Sequence, residues 1–96
     1  MTQLTIKDLP TKFSVTAEHI EAGQQSCLRC PIALAVAEQL PEGCFVEVGP
    51  IEIVVRRGES AVYSNTTAQQ EKFMSFFDNG LRVYPFEFNV FWASRE

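Results

Sequence analysis

The sequence predicts a small α+β domain, with an antiparallel sheet of about four to five strands packed against two main helices and one short helix, over a single domain of residues 1–96. Three observations predict it. Period-two alternation fills the middle and the end of the chain. Two runs of helical character, one Ala-rich and one Phe-bearing, separate those stretches. Gly and Pro mark almost every junction. With 46% hydrophobic residues and eight Phe, the chain has apolar mass for one core.

Residues 1–11 alternate weakly, with Leu4 and Ile6 on one side, and suit an edge strand or an arm. Asp8-Leu9-Pro10 breaks that run. Residues 12–15 form a short strand with Phe13 and Val15 pointing one way. Thr16 is placed as N-cap of a short helix over residues 17–22, since its hydroxyl accepts an orphan backbone N–H. Gly23 suits a left-handed residue just past that helix.

Pro31 fits the first position of the main helix, where a missing N–H has no consequence. Residues 31–40 are nearly all apolar until Glu38, so this helix is buried rather than half-exposed. Leu40-Pro41-Glu42-Gly43 ends it. Strands follow over residues 44–48 and 51–56, joined through Gly49-Pro50. Gly58-Glu59 fits a two-residue hairpin turn with Gly first, and residues 61–64 return.

Thr67 and Gln70 have capping-box spacing at the start of a second long helix. Phe73, Phe76 and Phe77 lie on one stripe of it, and Asn79-Gly80 stops it. Over residues 86–92, Phe86, Phe88, Val90 and Trp92 face one side, and Glu87, Asn89 and Phe91 the other.

The net charge of −4 lacks the basic footprint that nucleic-acid binding needs, and the twelve acids are too dispersed for a nucleic-acid mimic. No run approaches a membrane span. The first ten residues show no basic-then-apolar leader, and three Cys make no disulfide framework, so a reducing cytoplasmic setting is expected.

Three segments carry a likeness: Val15-Thr16-Ala17-Glu18-His19-Ile20-Glu21-Ala22-Gly23, Cys27-Leu28-Arg29-Cys30-Pro31-Ile32-Ala33-Leu34-Ala35, and Phe76-Phe77-Asp78-Asn79-Gly80 with Val83-Tyr84-Pro85-Phe86-Glu87-Phe88. In their order and spacing, about three quarters of the chain resembles a family of small uncharacterised bacteriophage and prophage proteins. The Cys-x-x-Cys-Pro-Ile-Ala start of the main helix is the most specific part. The resemblance implies a phage-type accessory protein and no reaction.

Cys27 and Cys30 are the sharpest local feature. Two thiols at this spacing can share a metal or close a disulfide, and a helix N-terminus beside Arg29 favours the thiolate. Against redox use, thioredoxin-type motifs place Pro between the cysteines, whereas Pro31 follows them. Cys is also commonly buried, so both thiols can simply pack around the helix start.

A zinc site would draw on Cys27, Cys30 and His19 as candidate ligands, with Cys44 or a carboxylate as the fourth. Cys44 lies beyond the helix that Cys30 begins, roughly 15 Å away along the axis. His19, between Glu18 and Glu21, reads as a solvated helix residue. Glu47, Glu52 and Glu87 alternate with core residues, with Arg56, Arg57 and Arg82 available to neutralise them. No phosphate loop or nucleophile elbow is present.

No catalytic residue and no cofactor emerges. Phe91, opposite the core side of the last strand, and Trp92 at its end are the candidate interface residues. They point to a protein partner, either another protein or a second copy of the chain, with no membrane and no nucleic acid.

Overall fold

The computed structural model describes residues 4–94 of the protein. Within them an α+β globule forms from two antiparallel sheets and three helices. The first segment does not become a strand. Residues 1–3 of the predicted arm lie outside the described residues, and Ile6–Asp8 makes a 3-10 turn. Leu4 and Ile6 nevertheless pack on the core edge.

Strand β1 (Lys12–Val15) leads into α1 (Ala17–Ala22), and α2 (Pro31–Glu38) follows. Strands β2 (Phe45–Val48), β3 (Glu52–Arg57) and β4 (Ser60–Asn65) form the antiparallel run that alternation predicts. Gly58 takes φ +60° between the paired residues Arg57 and Ser60, as a tight hairpin turn requires. Helix α3 (Ala68–Asp78) precedes β5 (Phe86–Asn89) and a two-residue β6 (Ala93–Ser94).

The sheet is divided, which alternation could not show. β1 pairs with β5, while the larger sheet runs β2-β3-β4-β6. After β5 the chain leaves one sheet for the other. The Val90 N–H still donates to the Thr11 carbonyl, but the Phe91 N–H donates to Ser64 Oγ in β4. The predicted alternation survives the crossing: Phe88, Val90 and Trp92 are buried, and Glu87, Asn89 and Phe91 are exposed.

Helix α2 is the centre of the core. Ile32, Ala33, Ala35 and Val36 are buried, and the helix packs on β1 of the small sheet and β2 of the large one. An apolar sequence on nearly all faces suits a helix wedged between two sheets. Around it lie Phe13, Val15, Val46, Val48, Ile53, Val55 and Val62.

An aromatic ladder runs through the small sheet. Phe13 stacks on Phe88 with centroids 5.7 Å apart, Phe88 meets Phe86 at 5.6 Å, and Phe86 meets Phe73 of α3 at 4.8 Å. Trp92 stands edge-on to Phe13, and its Nε1–H donates to the Pro10 carbonyl at 2.8 Å. Such ring pairs add roughly 0.5–1.5 kcal/mol each beyond the area they bury.

Helix α3 has the predicted capping box: Thr67 Oγ1 accepts the Gln70 N–H, and Gln70 Oε1 accepts the Thr67 N–H. Its end is a Schellman turn. Gly80, at φ +73°, donates to Phe77 O, and Leu81 donates to Phe76 O. Gly23 is not left-handed. Its φ is −68°, open to any residue, but a Cβ there would lie 2.7 Å from the Pro31 ring. Gly is required by the close approach of α1 to α2, not by backbone conformation.

Candidate functional site

Cys27 and Cys30 line one groove, and His19 is engaged elsewhere. His19 is not a solvated helix residue. Its side chain is only 13% exposed, and both ring nitrogens are engaged. Nδ1 accepts the Thr16 N–H at 3.0 Å, completing the cap of α1. Nε2 therefore carries the hydrogen and donates to the Glu38 carboxylate at 3.1 Å, joining α1 to the end of α2. His19 is thus directed to Glu38. Among the described residues, no three His, Cys, Asp or Glu side chains stand together as a metal would need.

Trp92 is corrected outright as an interface residue. It is 8% exposed and belongs to the core, because the inward face of the last strand continues across the sheet crossing. Phe91 stays as expected on the surface, 82% exposed.

The two thiols differ. Cys30 is buried at the N-cap of α2, and its Sγ accepts the Ala33 N–H at 3.4 Å. Burial pushes this thiol up from its ordinary value, and the Asp78 carboxylate adds to the shift. That opposes a ready thiolate. Cys27 is exposed, against the expectation that both would pack inward. Its carbonyl accepts the Val48 N–H at 2.8 Å, so the loop before α2 covers part of the β2 edge. Cys44 lies at the start of β2, its thiol also raised by burial and opposed by Arg57.

Two concave surfaces flank α3. The larger, about 610 Å³, lies between Cys27, Cys30 and Pro31 on one side, Val48 to Pro50 at the β2–β3 turn, and Met74, Phe77 and Asp78 of α3. Leu28 and Ile51, next in the chain to Cys27 and Pro50, are both exposed. The smaller, about 280 Å³, lies on the other side of α3. Phe73, Phe76 and Phe86 line it with Val83, Tyr84 and Pro85, and the polar groups are Gln69, Lys72 and Arg82.

No protein-family model, no curated protein and no solved structure matches the chain.

The smaller groove is where exposed apolar groups gather. Phe76 and Tyr84 line it and are exposed, and so is Leu81, whose N–H donates to the Phe76 carbonyl. Its base is the Phe73–Phe86 ring pair at the end of the aromatic ladder. The regular Phe spacing marked all of Phe73, Phe76 and Phe77 as one core stripe. The structure buries Phe73, half-buries Phe77 and leaves Phe76 in solvent. Only the docking of Phe73 on Phe86 fixes which edge of that stripe faces out. No helix among the described residues is long and apolar enough to cross a membrane.

Proposed function

We propose that the protein is a non-enzymatic accessory protein of phage type that acts by binding another protein. One observation carries the binding: Phe76 and Tyr84 are exposed while lining a groove with an aromatic base. Contiguous exposed apolar groups mark interaction sites, and aromatic anchors in such pockets dominate binding energy. The phage-type character rests on the Cys-x-x-Cys-Pro-Ile-Ala resemblance. On this reading the partner is a host or phage protein of the host cytoplasm, a host defence or other host machine being the target to oppose.

The test is a co-purification from bacterial lysate, using the wild-type chain and a Phe76→Ser/Tyr84→Ser variant, followed by reconstitution with the purified partner. A partner bound at fixed stoichiometry by the wild type and lost by the variant is expected. Identical protein profiles for the two baits would remove the proposal.

A second reading, a thiol-redox or zinc module on Cys27 and Cys30, has the exposure of Cys27 above the buried Cys30 in its favour. Intact mass under oxidising and reducing conditions, with elemental analysis for zinc, decides it. A disulfide between these cysteines or stoichiometric zinc supports it, and neither leaves Cys30 a packing residue.

A further inference from the structure

The charges of this surface are sorted in a way the net charge conceals. The chain carries −4 overall, yet the smaller groove is lined by two cations, Lys72 and Arg82, and by no acid. The acids of α3, Glu71 and Asp78, line the larger groove, which Lys72 also borders. Neither Lys72 nor Arg82 forms an ion pair among the described residues, where the pairs are Lys12–Glu87 and His19–Glu38. The Lys72 ammonium stands 5.7 Å over the Phe76 ring, so one cation is already held against the apolar wall. We infer that this groove takes an acidic, apolar peptide segment of the partner, with an apolar side chain seated against Phe76 and Phe86 and a carboxylate held by Lys72 and Arg82. The inference rests on the protein-binding reading and specifies the chemistry of the partner.

Size and electrostatics favour this occupant. A groove of about 280 Å³ lies at the low end for enclosing a whole small ligand but suits one anchoring side chain. Charges beyond a Debye length, about 8 Å at physiological salt, are largely screened. Lys72 and Arg82 line the groove itself and no acid does, so an occupant meets the two cations at the closest range. A guanidinium offers a carboxylate paired donors, and an ammonium a point charge. A single-stranded nucleic acid would also welcome aromatic walls, but two cations on a chain of net −4 give little of the backbone neutralisation such binding depends on.

A random peptide library selected on the wild-type protein tests this, followed by titration of the best peptide against wild type, Lys72→Glu/Arg82→Glu, Arg82→Glu alone and Phe76→Ser. Arg82→Glu isolates the smaller groove, since Lys72 also lines the larger one. Selected peptides should pair an aromatic or aliphatic residue with nearby Asp or Glu. Their affinity should fall at least tenfold on charge reversal or on Phe76→Ser, and should weaken as salt rises. Thermal midpoints of the variants confirm that they fold. Peptides without acids, binding indifferent to charge reversal, an absence of enriched peptides, or preferential binding of oligo-dT would each overturn the inference. A lysate partner lost with Phe76→Ser/Tyr84→Ser but retained by Lys72→Glu/Arg82→Glu would uphold protein binding and reject the acidic peptide.

Discussion

The Nε2 of His19 donates to the carboxylate of Glu38 at 3.1 Å, so one imidazole ties the first helix to the end of the second. The same ring caps α1 through Nδ1. His19→Ala is expected to lower stability by ~1 kcal/mol, nearly all of it from the lost acceptor for the Thr16 N–H, since the Thr16 hydroxyl still accepts the backbone N–H at position 19. The Glu38 contact adds little, because that carboxylate is largely in solvent. His19→Gln keeps an acceptor suited to a capping box and should recover most of the loss. Urea denaturation of the three proteins measures this, and equal midpoints for His19→Ala and wild type would contradict the capping role.

Gly23 and Gly80 should respond to Ala for opposite reasons. At Gly23 the backbone is ordinary and the added Cβ meets the Pro31 ring at 2.7 Å. Overpacking of this kind is expected to remove ~1–3 kcal/mol. At Gly80 no atom lies within 4 Å, but φ is +73°. There the loss should be ~1 kcal/mol, from backbone strain alone. Gly80→Asn should recover part of it, since Asn tolerates the left-handed region, whereas Gly23→Asn should be worse than Gly23→Ala. Thermal denaturation of the four variants separates the two mechanisms.

Thiol reactivity should follow burial. Cys27 is expected to alkylate with iodoacetamide in the native protein, and Cys30 only at the rate of unfolding, because its Sγ is buried and engaged by the Ala33 N–H. Peptide mapping over a time course distinguishes the sites. Simultaneous modification of both would show that the start of α2 opens readily.

Burial of Cys30 also predicts an alkaline slope. Its pKa is raised in the folded chain, so the folded state holds the proton more tightly than the unfolded one. This contribution is fully present below the ordinary thiol value of about 8.5 and is lost as pH rises from there through the raised folded value. Cys30→Ala should be less stable at neutral pH yet show a shallower decline above pH ~8.5. Parallel denaturation curves at rising pH provide the comparison, and equal slopes would exclude Cys30 as the source.

The last strand offers the sharpest contrast between neighbours. Trp92→Phe should forfeit ~1 kcal/mol, because it removes the indole hydrogen bond to Pro10 while retaining a ring. Phe91→Ser, at a side chain 82% exposed, should change stability by less than ~0.5 kcal/mol. Calorimetric midpoints of the two variants test the assignment of one ring to the core and the other to solvent.

Local rules were legible in the sequence. The Thr67–Gln70 capping box, Pro31 at the start of α2, the Gly58 turn and the two-faced final strand are each set by residues within a few positions of one another. What was not legible depends on distant partners. Alternation over residues 86–92 tells which side chains share a face, but not that β5 belongs to β1 and β6 to β4. The use of His19 depends on Glu38, nineteen positions away. Gly23 has the composition of a helix stop, and only the path of α2 shows that it makes room for Pro31. The smaller groove was hidden for the same reason, since Phe76 and Tyr84 come to line it together only after α3 docks on β5.

The pairing of β1 with β5 has a consequence for how the molecule comes into being. Ser14 and Glu87 are bonded across a separation of 73 residues, and Trp92 reaches Pro10 across 82. Strand β1 must wait, unpaired, until β5 has been synthesised. The β2–β4 meander can organise on its own beforehand. Such long-range closure slows folding relative to a helical domain of equal size, so removing residues 86–92 should unsettle β1 as well.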